Sequence, residues 1–377
     1  MTYDSVDALQ KTLADEVFQY ATDRKKAAGR ALGTLVELVT FYTLRAWDLR
    51  DHTVIERSVP EYGNSQVAHN VEFSLHPIRR RHDLTVSTEK LPVTPAKIAK
   101  EIPQLPPGER KANHLLSTNG VQRNACIIGE GSEGPIVAHV NDLSEIACEL
   151  TVCELFADPF AIFECKRVGV EEGMKKGPQT IEKAKQGAYV ASSVSSLQKI
   201  RLRDGSFSGV IERSDGSLYT RPYGELIREI VDGSDRTLLD GFILTVGVVS
   251  NHGNWFTSTD QNKELKVLAQ SYDWLLFLTD SGLAQFIEEL LLNPTPELEA
   301  ARSAFLKSYS GSQGNNRFTK VKMDLKADKA LRQYFRNHED EVESWYNVIS
   351  PSDSDITGLR ANLQRMADKD WASILNE

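Results

Sequence analysis

The stretch "FADPFAIFECKRVG", residues 156–169, decides the fold class that the sequence predicts. Asp158-Pro159 is a turn signal, and the apolar residues after it are typical of a buried β-strand. The strand ends in Glu164-Cys165-Lys166, and since side chains alternate across a strand, Glu164 and Lys166 are predicted to share one face. A carboxylate in a buried strand is costly unless it is paired or metal-bound, so this strand end indicates a functional site.

Patterns on either side of this strand predict an α/β fold. A strongly apolar helix with Glu37 in its middle precedes the strand-like segments "VIERSV" and "NVEFSLHPI". The strand is followed by a helix with Pro178 in its first turn and by a second buried strand, "LLDGFILTVGVVSNH". This order of elements predicts a central mixed β-sheet flanked by helices.

The chain is predicted to contain four segments. Residues 1–77 hold the N-terminal helices and the first strands of the core, and residues 78–130 form an inserted, basic, loop-rich segment. Residues 131–260 form a catalytic core around the Glu-x-Lys strand. Residues 261–377 form a mostly helical C-terminal region, which is the candidate dimerisation surface.

Composition excludes several classes of protein. A chain of 377 residues with 26% charged and 40% hydrophobic residues is typical of a soluble globular protein. It has no run long enough to span a membrane, and its acidic, amphipathic start is unlike a signal peptide, so we expect a cytoplasmic protein. Its four cysteines form no Cys-x-x-Cys pair and are predicted to be buried thiols. No phosphate-binding G-x-x-x-x-G-K-[ST] motif occurs, so no nucleotide cofactor is expected.

A second acid is predicted to lie opposite the Glu-x-Lys strand. If segments 144–155 and 160–168 form a hairpin, Glu149 lies across from Glu164 or Lys166 on the same face. Two facing carboxylates attract a cation, and an oxygen-only pair completed by water suits Mg²⁺. Lys166 could then position a water for attack on a phosphodiester. Asp142 is the alternative first acid, and Glu37 is a candidate third acidic ligand.

These residues carry a resemblance to a known family. The helix with Glu37, the strand acid, Glu164-Cys165-Lys166 and the helix that follows resemble the PD-(D/E)XK nuclease superfamily, in particular type II restriction endonucleases. The resemblance implies that Glu164 binds Mg²⁺, that Lys166 positions water, and that a homodimer cuts double-stranded DNA at a specific sequence. It thereby implies a part in a restriction-modification system.

Two alternatives remain open. One is a repair or defence nuclease of the same fold that acts without strict sequence specificity. The other is a non-catalytic DNA-binding or regulatory protein whose acidic cluster is structural, and this alternative predicts that cleavage is absent and that Lys166 is dispensable.

Two basic regions in this acidic chain are candidates for DNA contact. Residues 79–123 and residues 160–203 each contain nine Lys and Arg against four Asp and Glu, although the whole chain has a net charge of −9. Such regions suit a surface that faces a polyanion. The loop 250–256 is a further candidate for base contacts. The candidate DNA-binding residues are Arg79, Arg80, Arg81, Gln122, Arg123, Asn124, Lys175, Lys176, Lys183, Lys185 and Gln186.

Overall fold

The computed structural model describes residues 6–19, 21–105, 109–167, 185–250, 256–309 and 316–375. The chain forms two compact units, each assembled from three separate segments. Unit 1 comprises Met1–Ile55, Ile78–Ala157 and Asp280–Trp345, and unit 2 comprises Glu56–Pro77, Asp158–Thr279 and Tyr346–Glu377. Within the described ranges, no helix combines the length and apolar character needed to cross a membrane.

The strands belong to four sheets. In chain order they are β1 Thr53–Glu61, β2 Asn64–Leu75, β3 Ile78–Ser87, β4 Glu109–Arg110, β5 Val121–Arg123, β6 Cys126–Gly131, β7 Gly134–Leu143, β8 Ala147–Leu155, β9 Ala161–Arg167, β10 Gln198–Arg201, β11 Phe207–Glu212, β12 Leu218–Pro222, β13 Leu244–Ser250, β14 Trp274–Leu278, β15 Lys322–Asp324 and β16 Tyr346–Ser350. Unit 1 holds a five-stranded sheet in the order β3-β8-β7-β6-β4 and the pair β15-β5. Unit 2 holds a six-stranded sheet in the order β1-β2-β9-β13-β14-β16 and a three-stranded sheet in the order β10-β11-β12.

The helices flank these sheets. They are α1 Val6–Glu16, α2 Arg24–Ala46, α3 Pro95–Glu101, α4 Lys185–Ser193, α5 Tyr223–Asp232, α6 Arg236–Leu239, α7 Lys263–Ser271, α8 Asp280–Ile287, α9 Glu299–Tyr309, α10 Leu325–Asn337, α11 Glu339–Ser344, α12 Ile356–Ala367 and α13 Trp371–Leu375. Short helical turns at Arg50–His52, Glu288–Leu292 and Pro296–Leu298 complete them. Side-chain caps fix several helix starts, as at α2, where Asp23 accepts a hydrogen bond from the Lys26 backbone N–H.

The five-stranded sheet of unit 1 is antiparallel and has two unlike faces. Leu150 and Val152 of β8 belong to an apolar core that also contains Ile98 of α3. On the other face, the Thr151 hydroxyl donates to Asp83 at 2.6 Å and accepts from the Asn141 amide at 3.0 Å. This alternation follows from the two-residue period of a strand.

The six-stranded sheet of unit 2 is mixed. Strand β9 pairs antiparallel with β2 and parallel with β13, β14 continues the parallel arrangement, and β16 closes the edge antiparallel. The sheet carries helices on both faces. On one face, Ala188 of α4 and Leu268 of α7 pack with Leu275 and Phe277 of β14. Trp274 precedes Leu275 and therefore points to the opposite face, where Gly358 of α12 approaches it. The predicted α/β class, with a mixed sheet flanked by helices, is therefore confirmed.

The segments differ from those predicted. The insertion between β2 and β9 runs from residue 78 to residue 157 rather than to residue 130, and half of it consists of strands. Residues 261–377 contain helices α7–α13, as well as β14, β15 and β16. The four cysteines are buried free thiols, as predicted. The boundary at residue 130 was wrong because the second half of this 80-residue insertion also forms strands. In the sequence, these strands look the same as strands of the core sheet.

Candidate functional site

Glu164 and Lys166 lie on one face of β9, as the alternation of the strand predicts. The Lys166 Nζ atom is 3.3 Å from Glu164 Oε2. The Glu164 side chain is only 4% exposed, and that of Lys166 is 36% exposed. Burial raises the pKa of Glu164 above its usual value, and the nearby Lys166 ammonium acts against that rise. Glu164 is thus a desolvated carboxylate with an incompletely compensated charge.

Two glycines bring other elements close to this carboxylate. A Cβ atom on Gly187 of α4 would lie 3.5 Å from Glu164 Oε2 and 2.5 Å from the Tyr272 hydroxyl oxygen. In β13, Gly247 pairs with Glu164, and a Cβ atom there would lie 2.8 Å from the Tyr272 ring. Tyr272 therefore lies between Gly187 and Gly247, and neither position has space for a Cβ atom unless the ring shifts. Burial, with Glu164 nearby, raises the pKa of Tyr272 well above its usual value, so it remains a neutral phenol.

A second polar group connects the β1–β2 hairpin to α4. Glu61 Oε1 lies 2.9 Å from His69 Nε2 and accepts a hydrogen bond of 2.9 Å from the Tyr189 hydroxyl. These hydrogen bonds, first from His69 and then from Tyr189, lower the pKa of Glu61. His69 also favours the ionised form of Glu164 electrostatically, so this group belongs to the surroundings of the Glu164 carboxylate.

The predicted hairpin between segments 144–155 and 160–168 is wrong. Strand β8 pairs with β3 and β7, and Glu149 lies opposite Thr85 and Asp142 in those ladders. Glu149 is exposed in unit 1, whereas Glu164 belongs to unit 2. The alternative acid Asp142 lies in the same sheet as Glu149 and forms an ion pair with Lys329 at 3.5 Å. The choice of Glu149 or Asp142 as the strand acid therefore loses its geometric basis.

Glu37 has a partner of its own. It lies half-buried on α2 of unit 1 rather than fully buried, and its Oε2 atom is 3.4 Å from Lys320 Nζ. The Lys320 side chain is 8% exposed, so this ion pair neutralises a buried ammonium. This structural role accounts for a carboxylate in the middle of an apolar helix.

Strand β2, rather than β8, supplies the antiparallel neighbour of the Glu-x-Lys strand. Phe73 pairs with Phe163, and the preceding residue Glu72 and the following residue Glu164 occupy the next positions along the two strands. Val71 of β2 belongs to the same apolar cluster as Ile162 of β9. Glu72 is not among the predicted site residues, because "NVEFSL" predicts only a strand. An acidic residue inside an apolar strand was the available signal.

The three arginines at 79–81 lie on β3, an edge strand of unit 1. Arg79 packs over the Phe156 ring, with its guanidinium carbon 5.5 Å from the ring centroid, and Arg80 is exposed. Arg81 makes ion pairs with Asp51 at 3.2 Å and with Asp83 at 3.3 Å. Arg80 and Arg81 are thus both exposed, and Arg80 is the one that forms no ion pair with a described residue.

Two of the three predicted base readers at 122–124 are structural. Gln122 is 3% exposed and donates to Asn124 at 2.9 Å, and Asn124 is 5% exposed and donates to the Lys320 carbonyl at 3.0 Å. Side chains buried in this way cannot project into a DNA groove, so these two predictions are wrong. Arg123 is half-buried and lines a cavity. Polar residue types alone do not distinguish these two situations.

The remaining candidates follow β9 in the chain. Lys175, Lys176 and Lys183 lie outside the described residues, as do the side chain of Gln186 and most of loop 250–256. Lys185, at the start of α4, lies 4.0 Å from Glu264 Oε1. Of these four lysines, only Lys185 lies within the described residues, and it lies beside a carboxylate.

The described residues contain no group of three or more His, Cys, Asp or Glu side chains placed to hold a metal ion. What they offer is the buried Glu164 carboxylate on β9 and the half-buried Glu72 on its antiparallel neighbour β2. Comparison of the chain with protein-family models, with curated proteins and with solved structures finds no match in any of the three.

Proposed function

We propose that this chain is a Mg²⁺-dependent DNA endonuclease that hydrolyses phosphodiester bonds, in the manner of type II restriction enzymes. The observation that carries the proposal is the Glu164–Lys166 pair: a buried carboxylate with a raised pKa, 3.3 Å from a partly exposed ammonium on the same strand face. Perturbed titratable groups of this kind are concentrated at functional sites.

The order of elements around the pair supports the same proposal. Along the chain the order is the hairpin β1–β2, then β9, α4 and β13, with other elements between them. In the sheet, β9 lies between antiparallel β2 and parallel β13. Of the core that the resemblance to PD-(D/E)XK nucleases implies, unit 2 contains the strand with Glu164 and Lys166 and the helix after it, whereas the helix with Glu37 belongs to unit 1. The carboxyl ends of β9 and β13 lie side by side, which is where ligands bind in open α/β sheets.

We assign the strand acid to Glu72. It precedes Phe73, whose partner Phe163 precedes Glu164, and it is half-buried. A pair of carboxylates without sulfur or imidazole ligands suits Mg²⁺, which retains several waters. Glu72 and Glu164 would hold the ion, which supplies positive charge where the phosphodiester becomes more negative. The desolvated state of Glu164 favours this assignment, because a bound cation would offset the cost of burying its charge.

Lys166 has two roles in this scheme. Its ammonium favours the ionised form of Glu164, and its exposed end orients the water that attacks phosphorus. Hydrolysis adds the water oxygen to phosphorus, breaks one ester P–O bond and leaves the departing sugar oxygen protonated. Cutting both strands of a palindromic site requires a two-fold symmetric pair of sites, so the proposal includes a homodimer.

The test is incubation of the pure chain and its Lys166→Ala variant with phage DNA, with Mg²⁺ or with EDTA. Discrete fragments that require both Mg²⁺ and Lys166 support a site-specific endonuclease. A Mg²⁺-dependent smear would instead indicate a nuclease of the same fold without sequence specificity. Intact DNA under all metal and salt conditions would overturn the proposal and leave a binding or regulatory protein.

A further inference from the structure

A cavity in unit 1 has a composition unlike that of the whole chain. It has a volume of about 350 Å³ and is bounded by residues 112–123 and 316–322. The described residues that line it include three cations, His114 and three asparagines, and none of them is Asp or Glu. In a chain with a net charge of −9, such a cavity is a local site of positive potential.

Two of the cations are placed opposite each other. In the antiparallel pair β5–β15, Arg123 lies across from Lys322 and shares its face. Like charges in directly opposed positions destabilise a sheet. Neither side chain forms an ion pair with any other residue that the structure describes. An anion between them would convert this repulsion into attraction.

The backbone around the cavity is held by hydrogen bonds. The Ser117 hydroxyl donates to the Val121 carbonyl at 2.9 Å and accepts from the Val121 N–H at 3.0 Å, which closes the turn before β5. Arg317, the third cation, receives a backbone hydrogen bond of 2.7 Å from the Asp324 N–H, and its side chain lies 3.6 Å from the Asp324 carboxylate. The cations thus project from fixed positions, as a preformed binding site requires.

A larger cavity in the same unit shows the contrast. It has a volume of about 700 Å³ and is also rich in arginine, but its cations are already paired. Arg45 lies 2.7 Å from Asp328, Arg50 lies 2.7 Å from Asp51, and Lys329 lies 3.5 Å from Asp142. An anion entering that cavity would have to compete with carboxylates for every cation. In the cavity beside β5–β15, only Arg317 is paired, with Asp324, whereas Arg123 and Lys322 form no ion pair with a described residue.

We infer that the cavity beside the β5–β15 pair binds the phosphodiester backbone of duplex DNA, with Arg123 and Lys322 each neutralising a phosphate. Guanidinium and ammonium groups are the usual phosphate ligands, and the asparagine amides Asn113, Asn119 and Asn316 are suited to sugar or base edges. The inference rests on the proposed function for the identity of the polyanion. It places a substrate-binding site in unit 1, while the Glu164 site lies in unit 2.

The test measures binding without cleavage. The affinity of Lys166→Ala protein for a fluorescently labelled DNA duplex is followed by anisotropy, in EDTA and between roughly 50 and 200 mM salt. The same protein carrying Arg123→Gln or Lys322→Gln is compared with a Lys100→Ala control, because Lys100 is exposed on α3 and does not line the cavity. The thermal midpoint of each variant shows whether it is folded, and exposed Lys322 carries little risk of misfolding.

Each substitution is expected to weaken binding and to reduce the slope of log affinity against log salt by about 0.9. The Lys100 control is expected to retain the parental affinity and slope. Parental affinity and slope in folded Arg123 and Lys322 variants would overturn the inference even if the chain cleaves DNA. Conversely, loss of binding in these variants would support it even if no cleavage is found. Arg123-dependent binding of a mononucleotide in place of the duplex would also overturn it.

Discussion

Lys166 Nζ lies 3.3 Å from Glu164 Oε2, and both side chains lie on the face of β9 opposite the buried Phe163 and Cys165. The two ends of this ion pair have unlike surroundings, because Glu164 is almost fully buried and Lys166 retains contact with solvent. Such a pair compensates the buried charge only in part. The predictions about metal, pH and mutation at this site follow from that imbalance.

Replacing Glu164 with Gln removes the charge and keeps the shape. Without metal, the variant is expected to be more stable than the parent at neutral pH by about 1 kcal/mol, because the cost of burying the carboxylate disappears while Lys166 remains hydrated. Chemical denaturation in EDTA measures the difference. In excess Mg²⁺ the order should reverse, since only the parent gains binding energy, about 2.7 kcal/mol at a hundredfold excess over Kd. Equal stabilisation of both proteins by Mg²⁺ would exclude Glu164 as a ligand.

The raised pKa of Glu164 predicts opposite pH trends with and without metal. Its folded-state pKa exceeds the unfolded value because of burial, so without Mg²⁺ its contribution to stability is complete at low pH and is lost as the pH rises through the folded-state pKa. Mg²⁺ binds only the ionised form, so stabilisation by Mg²⁺ should grow over that same pH range. The measurement is the shift in thermal midpoint caused by Mg²⁺ across this titration. A shift that does not depend on pH, or that persists in Glu164→Gln, would contradict the prediction.

Glu72 and Glu149 form a matched pair of substitutions. Glu72→Gln is expected to reduce the rate of Mg²⁺-dependent DNA cleavage by at least about a hundredfold, a typical effect of losing electrostatic stabilisation of a transition state. Glu149→Gln should leave the rate unchanged, because Glu149 is exposed and lies opposite Thr85 and Asp142. Single-turnover cleavage with excess enzyme measures both. Loss of activity in the Glu149 variant alone would restore the original assignment.

The sequence predicted the relation between Glu164 and Lys166 because it depends on one strand only. Strand alternation sets that relation locally, and the apolar run before Glu164 showed that the strand is buried. The strand that pairs with β9 could not be predicted in the same way, because pairing joins segments that are distant in the chain. Strand β9 pairs with β2 across an 80-residue insertion, whereas the nearest strand in sequence, β8, joins another sheet. The prediction of Glu149 assumed that the two strands adjacent in sequence pair with each other, and this assumption was wrong.

Burial explains the other failures of prediction. Gln122 and Asn124 have the side chains that read adenine, but a hydrogen bond between them and another to the Lys320 carbonyl satisfy them inside the protein. Glu37 marks a charge in an apolar helix, yet its partner Lys320 is nearly 300 residues away in sequence. Neither arrangement can be recognised from the residues adjacent in sequence. Composition alone could identify the basic region 79–123, but not which of its side chains remain available.

The proposed homodimer predicts a measurable mass. If two copies act on the two strands of a palindromic site, light scattering should give twice the chain mass of 42.1 kDa for the free protein, or that mass plus the mass of one duplex for the complex with DNA. A monomer mass with and without DNA, together with cleavage of both strands, would show that the two cuts occur in separate encounters. Dilution provides the control, because dissociation of a dimer should lower the cleavage rate per chain.

Tyr272 and the two glycines beside it give a test of the local packing. Gly187→Ala places a Cβ atom 2.5 Å from the Tyr272 hydroxyl oxygen, and Gly247→Ala places one 2.8 Å from the ring itself. Each substitution is expected to reduce the free energy of unfolding by about 1–3 kcal/mol through overpacking. For Gly187, this loss is offset in part by the better helix propensity of alanine. Urea denaturation provides the measurement.

The two variants should differ in how they respond to removal of that hydroxyl. Tyr272→Phe deletes the atom that the Gly187→Ala Cβ contacts, so the double variant should recover most of the lost stability. It leaves the ring in place, so the Gly247→Ala defect should persist in the corresponding double variant. This selective rescue requires the Tyr272 hydroxyl to point at α4 and its ring to lie on β13, beside Glu164. Rescue of both variants, or of neither, would place Tyr272 elsewhere.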